Sequence, residues 1–225
     1  MVQIRPHPIV TFYEIQQSRR WQAALSGLTV TASTSGLSVD DLIAVVQDLG
    51  SSQVSAIGRI ASLGAGTITV DVWKNGGSTP VVDGTNDYVY PLTSSSIAFG
   101  TLSASSVSTV IVAFDVTAAN DNGYVVQILE DGNLRSGGNV VNDVVDGSVT
   151  SGSEEYGARS SDTSISTSTF DTADTALSTT FSDVATEATA SFESRNFVTL
   201  KVAIDEGTAD GSYSQIVSLI ASGNF

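Results

Sequence analysis

The chain of 225 residues has no cysteine, one histidine and four prolines. The lack of cysteine excludes disulfides, a thiolate nucleophile and every cysteine-ligated zinc or iron–sulfur site. His7 is the only histidine, so a multi-histidine metal site is excluded and a Ser-His-Asp triad would have to use it. It stands between two prolines near the start of the sequence, where a rigidly held base is not expected. We therefore predict no enzyme, no catalytic residue and no organic cofactor.

Basic residues are also scarce. Nine Lys and Arg against 24 Asp and Glu give a formal net charge of −15. A chain this acidic is a poor partner for nucleic acid or an anionic membrane surface. No apolar run approaches the roughly 20 residues that cross a bilayer, and no leader is visible. We expect an extracellular or cell-surface protein whose export signal is not in the sequence, or alternatively a virion component made without export.

What the chain does contain is typical of β structure. Hydrophobic residues make up 41% and charged residues 15%, which is too apolar for a disordered chain. With 34 Ser and 24 Thr, strands and turns are favoured over helices. The predicted fold is all-β, with one or two antiparallel β-sandwich domains (Ig-like or jelly-roll-like) and an extended N-terminal arm. The expected divisions are an arm at 1–26, a β-meander or small β domain at 27–95, and a sandwich at 96–225.

The arm carries the most informative pattern. Residues 8–15 read PIVTFYEI, which is apolar on both faces of a strand and calls for burial on both sides. Such a strand pairs either inside its own sheet or in the groove of a neighbouring copy, and the second choice produces head-to-tail polymers. The sequence does not decide between them. The residues predicted to form this intersubunit strand are Ile9, Val10, Phe12, Tyr13 and Ile15. A short helix is expected next, within residues 14–25.

Four further segments carry expectations about structure. Val110, Val112 and Phe114 oppose Ile111 and Ala113, which predicts a central strand. Residues 42–46 read LIAVV and favour a strand over a helix. The pattern FVTLKVAI at 197–204 predicts a hairpin that turns at 205–211 and returns along 212–221. Residues 146–196 are rich in Ser, Thr and Asp, which predicts long loops and edge strands. Their only large apolar anchors are Tyr156, Phe170, Leu177, Phe181 and Phe192.

Several of these segments resemble a known family. They are IAFGTL at 97–102, NGYVVQILEDGNL at 122–134, GSVTSGSEEYG at 147–157 and GSYSQIVSLIASGNF at 211–225. This part of the chain resembles secreted Ig-like β-sandwich surface modules of bacteria, of the Candidate Phyla Radiation type, and more loosely pilin-like and matrix-fibre subunits. The resemblance covers about the last 130 residues and implies a surface-exposed sandwich without implying any chemistry.

Candidate binding groups are few. Asp205, Glu206 and Asp210 form an acidic cluster that would suit calcium, although an ordinary loop explains it equally well. The acids Glu154, Glu155, Asp171 and Asp174 are better explained as a solvated loop than as a catalytic pair.

Two tryptophans and two lysines are candidates for roles in a surface protein. Trp21 and Trp73 are candidates for stacking on a glycan, although packing is the commoner role. Lys74 and Lys201 are candidates for a crosslink to Asn or Asp, and Lys201 is expected to face solvent because it opposes the apolar face of its strand.

These patterns favour a structural role. The leading hypothesis is a subunit of an extracellular filament, pilus-like fibre or surface layer, whose partner is a second copy of itself. A virion structural protein, such as a tail or capsid-decorating subunit, is the alternative, and a carbohydrate-binding adhesin using Trp21 or Trp73 is the third.

Overall fold

The computed structural model describes residues 9–15, 21–93 and 98–224. Within these ranges all regular structure is β, without a helix, and strands account for 46% of the chain. The sheets are antiparallel, and the largest curls into a half-barrel. The all-β, sandwich-type fold predicted from the Ser, Thr and β-branched content is confirmed.

Three groups of strands build the described chain. The first strand, β1, is Ile9–Ile15. The N-terminal part comprises β2 (Trp21–Gln22), β3 (Ala24–Ser26), β4 (Thr29–Thr31), β5 (Leu42–Gln47), β6 (Val54–Gly64), β7 (Thr67–Val70), β8 (Lys74–Asn75) and β9 (Tyr88–Thr93). The C-terminal part comprises β10 (Ser108–Ala118), β11 (Tyr124–Glu130), β12 (Arg135–Ser136), β13 (Asn139–Val140), β14 (Glu155–Ser160), β15 (Ser182–Glu187), β16 (Ser191–Ala203) and β17 (Val217–Gly223).

The large sheet has twelve strands and runs through both parts. Its order is β14-β16-β10-β1-β9-β5-β6-β7-β4-β3, with β2 also paired to β9 and β8 to β6. A second sheet has the order β15-β11-β17, and β12 and β13 form a small hairpin. In this order β1 is the strand that joins the C-terminal part of the large sheet to the N-terminal part.

The C-terminal part is a two-layer sandwich. One face of β10, with Val112 and Phe114, packs together with the inner residues of β11, such as Tyr124 and Val126. Along β11 buried and half-buried residues alternate strictly, as expected for a strand with one covered face. The alternation also places Glu130 at an inward position, where it is only 3% exposed.

The other face of β10 packs on the N-terminal part. Ile111, Ala113 and Phe197 share one buried cluster with residues of β5, β6 and β9, among them Leu42 and Tyr90. This cluster lies inside the curl of the large sheet. Because β10 is covered on both faces, the prediction that it is a central strand is confirmed.

Two local predictions have definite outcomes. The strand at 42–46 is confirmed as β5. The short helix is wrong over residues 21–26, where β2 and β3 form, because edges of β9 and β4 are there to pair with them. Residues 16–20 lie outside the described residues.

The predicted final hairpin is wrong, although both of its strands exist. Both edges of β16 are occupied, by β10 and by β14, so β17 cannot pair with it. Residues 204–216 instead carry the chain to the second sheet, where β17 pairs with β11.

The polar segment 146–196 contains an edge strand of each sheet, β14 and β15, and extended loops. Three of its predicted anchors, Tyr156, Phe170 and Leu177, are buried and belong to the sandwich core. Phe181 and Phe192 are 44% and 73% exposed, so they are not anchors.

Candidate functional site

The predicted intersubunit strand lies in the middle of the large sheet. All five of its residues, Ile9, Val10, Phe12, Tyr13 and Ile15, fall within β1, which pairs with β10 from Ile9↔Thr117 to Glu14↔Val112. On its other side β1 pairs with β9 through Glu14↔Thr93 and Ile15↔Leu92. The pairing seen here is within one chain, and pairing across copies stays a prediction.

The two parts of the chain that flank β1 in the large sheet are linked by ion pairs between residues of other elements. Arg195 of β16 donates two hydrogen bonds to the carboxylate of Asp71, at 2.7 and 2.5 Å, and its Nε lies 3.5 Å from Oδ1 of Asp115 on β10. Arg59 of β6 donates to the other carboxylate oxygen of Asp115. We call these four residues the arginine–aspartate network. It links the N-terminal part to the C-terminal part across the curl of the sheet.

The electrostatics of the network follow from burial. Burial raises the pKa of Asp115, against the opposing charges of Arg59 and Arg195. The hydrogen bonds from Arg195 lower the pKa of Asp71, which is more exposed. The same hydrogen bonds raise the pKa of Arg195, so this guanidinium stays charged. Two cations and two anions thus balance one another where the two parts of the chain meet.

A second bridge strengthens this junction. The hydroxyl of Thr109 on β10 donates to Oε1 of Gln53 at 2.5 Å, and Nε2 of Gln53 donates to Ser55 on β6 at 2.8 Å. Together with the buried cluster around Ile111 and Leu42, this bridge fixes the spacing of β10 and the N-terminal part. Residues outside β1 therefore link the two parts of the chain between which it lies.

The predicted calcium cluster lies in the loop that follows β16. Among the described residues, no group of three or more His, Cys, Asp and Glu side chains is placed to hold a metal ion. Oδ1 of Asp205 accepts hydrogen bonds from the amide of Gly207 and the hydroxyl of Thr208, at 2.8 and 3.1 Å. Asp205, Glu206 and Asp210 thus belong to a loop that caps its own backbone, and the structure does not bring their carboxylates together.

The two tryptophans pack against the core of the N-terminal part. Both are half-buried, and the indole N–H of Trp73 donates to the carbonyl of Gly27 at 3.0 Å. The packing role explains them, and their use in glycan stacking stays a prediction.

Lys201 was expected to face solvent, and that expectation is wrong. Its side chain is 7% exposed, and Nζ lies 2.8 and 3.0 Å from the two carboxylate oxygens of Asp174, which is 4% exposed. The face of β16 opposite the sandwich core is covered as well, so the ammonium needs a buried partner. Asp174 also accepts from the amide of Val149, so it ties the loop 146–154 to β16.

The remaining loop acids have separate partners. Glu154 accepts hydrogen bonds from Asn142 and Thr208, at 2.7 and 2.9 Å, while Glu155 accepts one from the amide of Thr150 at 2.9 Å. Asp174 pairs with Lys201, so these three carboxylates each have different partners. His7 lies outside the described residues.

The arginine–aspartate network was missed in the sequence, yet a signal for it was present. Asp115 interrupts the apolar run VIVAFDV, and Arg59 interrupts SAIGRIA. A charge inside a strand that is apolar on both faces must find a buried counter-charge. Its partner, however, cannot be identified from local pattern.

Comparisons of this chain with protein-family models, with curated proteins and with solved structures found no match. In the described residues there is no helix long and apolar enough to cross a bilayer.

Proposed function

We propose that this protein is a structural subunit of an extracellular filament, pilus-like fibre or surface layer, whose copies are joined by exchange of β1. The observation that carries the proposal is the position of β1. It is the strand, among those described, that links the two parts of the large sheet, and it pairs with β10 on one edge and with β9 on the other.

The groove between β10 and β9, which β1 fills, has the properties of an acceptor groove for a strand. The arginine–aspartate network, the Thr109–Gln53 bond and the buried cluster of Ile111 and Leu42 link the two parts of the chain on either side of β1. When β1 leaves, the edges of β10 and β9 that it had paired with are unpaired, and they flank an open groove. Unpaired edges bind an added strand through backbone hydrogen bonds, and the best-fitting strand is β1 of another copy.

Exchange replaces each hydrogen bond by an identical one, so the pairing energies nearly cancel. The balance then depends on concentration, because pairing within the chain is favoured at low concentration and pairing between copies at high concentration. Each copy donates one strand and accepts one, which is a head-to-tail contact. A head-to-tail contact closes into a ring or grows into a filament.

A disulfide-trapping experiment tests the proposal, because the chain has no cysteine of its own. Ile9 lies opposite Thr117 in the register of β1 and β10. Directly opposed residues of antiparallel strands have Cα atoms about 4.5–5.5 Å apart, which suits a disulfide. We would express an Ile9→Cys variant and a Thr117→Cys variant with different tags, incubate them together at high concentration and oxidise them.

We expect a covalent heterodimer on a non-reducing gel, because β1 of one copy lies beside β10 of the other. The double variant is expected to give a ladder of covalent oligomers, and electron microscopy of the unmodified protein is expected to show rods or rings. A Val145→Cys variant, at a site that is 93% exposed, controls for random oxidation. A double variant that gives only an internally crosslinked monomer, with no heterodimer from the mixture, would contradict the proposal.

A further inference from the structure

A polar cavity of about 300 Å³ lies where the N-terminal and C-terminal parts meet. Its wall on the N-terminal side includes Ser51, Ser52 and Ser78, and its wall on the C-terminal side includes Arg159, Thr199 and Lys201. Arg159 lies directly opposite Thr199 in the β14–β16 register, and Lys201 is two residues further along β16. These three side chains therefore share one face of the sheet.

The turn that contains Gly76 belongs to the N-terminal wall of the cavity. The backbone at Gly76 and Gly77 lies so close to residues 161 and 163 that an added Cβ would be 3.4 Å from Cα of Ser161 and 3.1 Å from Cγ2 of Thr163. This contact holds the serine-bearing wall against the wall with Arg159.

The charge of the cavity is opposite to that of the protein. The chain has 24 acidic residues and nine Lys and Arg, yet in the part of the chain that the structure describes, two basic residues and no acidic side chain line this cavity. Asp174, which is not among the residues that line the cavity, neutralises the charge of Lys201. Arg159 is exposed, and among the described residues it has no carboxylate partner. Arg159, which has no carboxylate partner in the described ranges, therefore faces a cavity rich in hydroxyl groups.

We propose that this cavity binds an acidic sugar, with the sugar carboxylate on Arg159 and the ring hydroxyls on the serine and threonine side chains. The guanidinium fork matches a carboxylate. Hydroxyl-bearing side chains both donate and accept, as sugar hydroxyls do. A volume of about 300 Å³ is at the small end of ligand sites and suits a single sugar unit. The inference is independent of strand exchange and requires neither Trp21 nor Trp73.

The test is isothermal titration of the full chain with glucuronate, and with glucose and sulfate as separate arms. We expect glucuronate to bind, and glucose and sulfate to bind at least about tenfold more weakly, because each lacks one half of the recognised chemistry. An Arg159→Gln variant is expected to weaken glucuronate binding about tenfold or more. The matched control is Lys74→Gln, which removes one positive charge from a residue that does not line the cavity.

A Thr199→Val variant gives an independent readout, since it removes a hydroxyl from the cavity wall without changing the charge. It is expected to weaken glucuronate and leave the weak binding of sulfate unchanged. Absence of glucuronate binding would overturn the proposal. Equal affinity for glucose or for sulfate, or equal losses in the Arg159→Gln and Lys74→Gln variants, would overturn it as well.

Discussion

Arg195 binds both carboxylate oxygens of Asp71, although the two residues stand 124 positions apart in the chain. Asp71 directly follows β7 of the N-terminal part, and Arg195 lies on β16 of the C-terminal part. The pair is the outer end of the arginine–aspartate network, which continues through Asp115 to Arg59. The two parts of the chain are thus joined by charge as well as by the buried cluster around Ile111.

Replacing Arg195 with methionine is expected to lower the free energy of unfolding by about 3 kcal/mol. The substitution keeps much of the side-chain volume but leaves buried Asp115 with Arg59 as its sole cation in the network, and removing one partner of a buried ion pair is costly. Urea unfolding followed by tryptophan fluorescence measures the change.

The control for Arg195 is Arg135, which forms an exposed pair with Asp131. Exposed pairs contribute little, so Arg135→Gln is expected to cost much less stability than Arg195→Met. Equal losses in the two variants would show that the network does not hold the two parts together.

Asp131 is expected to titrate well below an ordinary aspartate. Hydrogen bonds from Arg135 and from the amide of Ile216 lower its pKa to about 2. Because the folded-state pKa is depressed, the stabilising effect of this carboxylate is present above about pH 4 and is lost as the pH falls towards 2. Carboxyl-detected NMR measures the titration, and Arg135→Gln should move the midpoint back towards the usual value. An unchanged midpoint in that variant would contradict the assignment.

Glu130 is expected to behave in the opposite way. Burial raises its pKa, and the nearby carboxylate of Asp143 raises it further. The folded protein therefore holds this proton more tightly than the unfolded chain does, so stability falls as the pH rises from about 4.3 through the raised value. A Glu130→Gln variant keeps a side chain that can bond to Gln215 and removes the buried charge. We expect it to unfold at higher urea concentration than the unmodified protein at pH 7, with the difference shrinking at pH 4.

Gly157 and Gly138 form a matched pair of test sites. A Cβ at Gly157 would lie 2.6 Å from Cγ1 of Val144 and 3.2 Å from the carbonyl oxygen of Thr175. A Cβ at Gly138 would meet nothing within 4 Å. Gly157→Ala is expected to cost about 2–3 kcal/mol through overpacking, while Gly138→Ala is expected to be neutral or slightly stabilising. Thermal unfolding of both variants checks this, and equal effects would show that the site at Gly157 relaxes freely.

Local pattern was sufficient for features that depend on neighbouring residues. The apolar positions on both faces of VIVAF predicted that β10 is central, and the β-branched run LIAVV predicted β5. The pattern of PIVTFYEI, apolar on both faces, predicted a strand that pairs either inside its own sheet or with another copy, and β1 is a strand that lies between β9 and β10 of the large sheet. These features can be predicted because side chains alternate between the two faces of a strand, so consecutive residues show which faces are apolar.

Pairing choices between distant strands were not accessible in the same way. The patterns of β16 and β17 fit a hairpin, but β10 and β14 occupy both edges of β16 and leave β17 for the other sheet. Lys201 looked solvated on its own strand, and only the loop that carries Asp174 shows why it is buried.

Composition and periodicity were enough to establish an acidic, all-β chain without cysteine chemistry, because residue counts and alternation do not depend on which strands meet. The half-barrel curl, the network that joins Asp71 to Arg195 and the cavity beside Arg159 depend on contacts between residues far apart in the chain. Each strand edge and each apolar face could pair with several partners. Which partner it takes depends on where all the other strands lie, so these contacts are decided only in the folded chain.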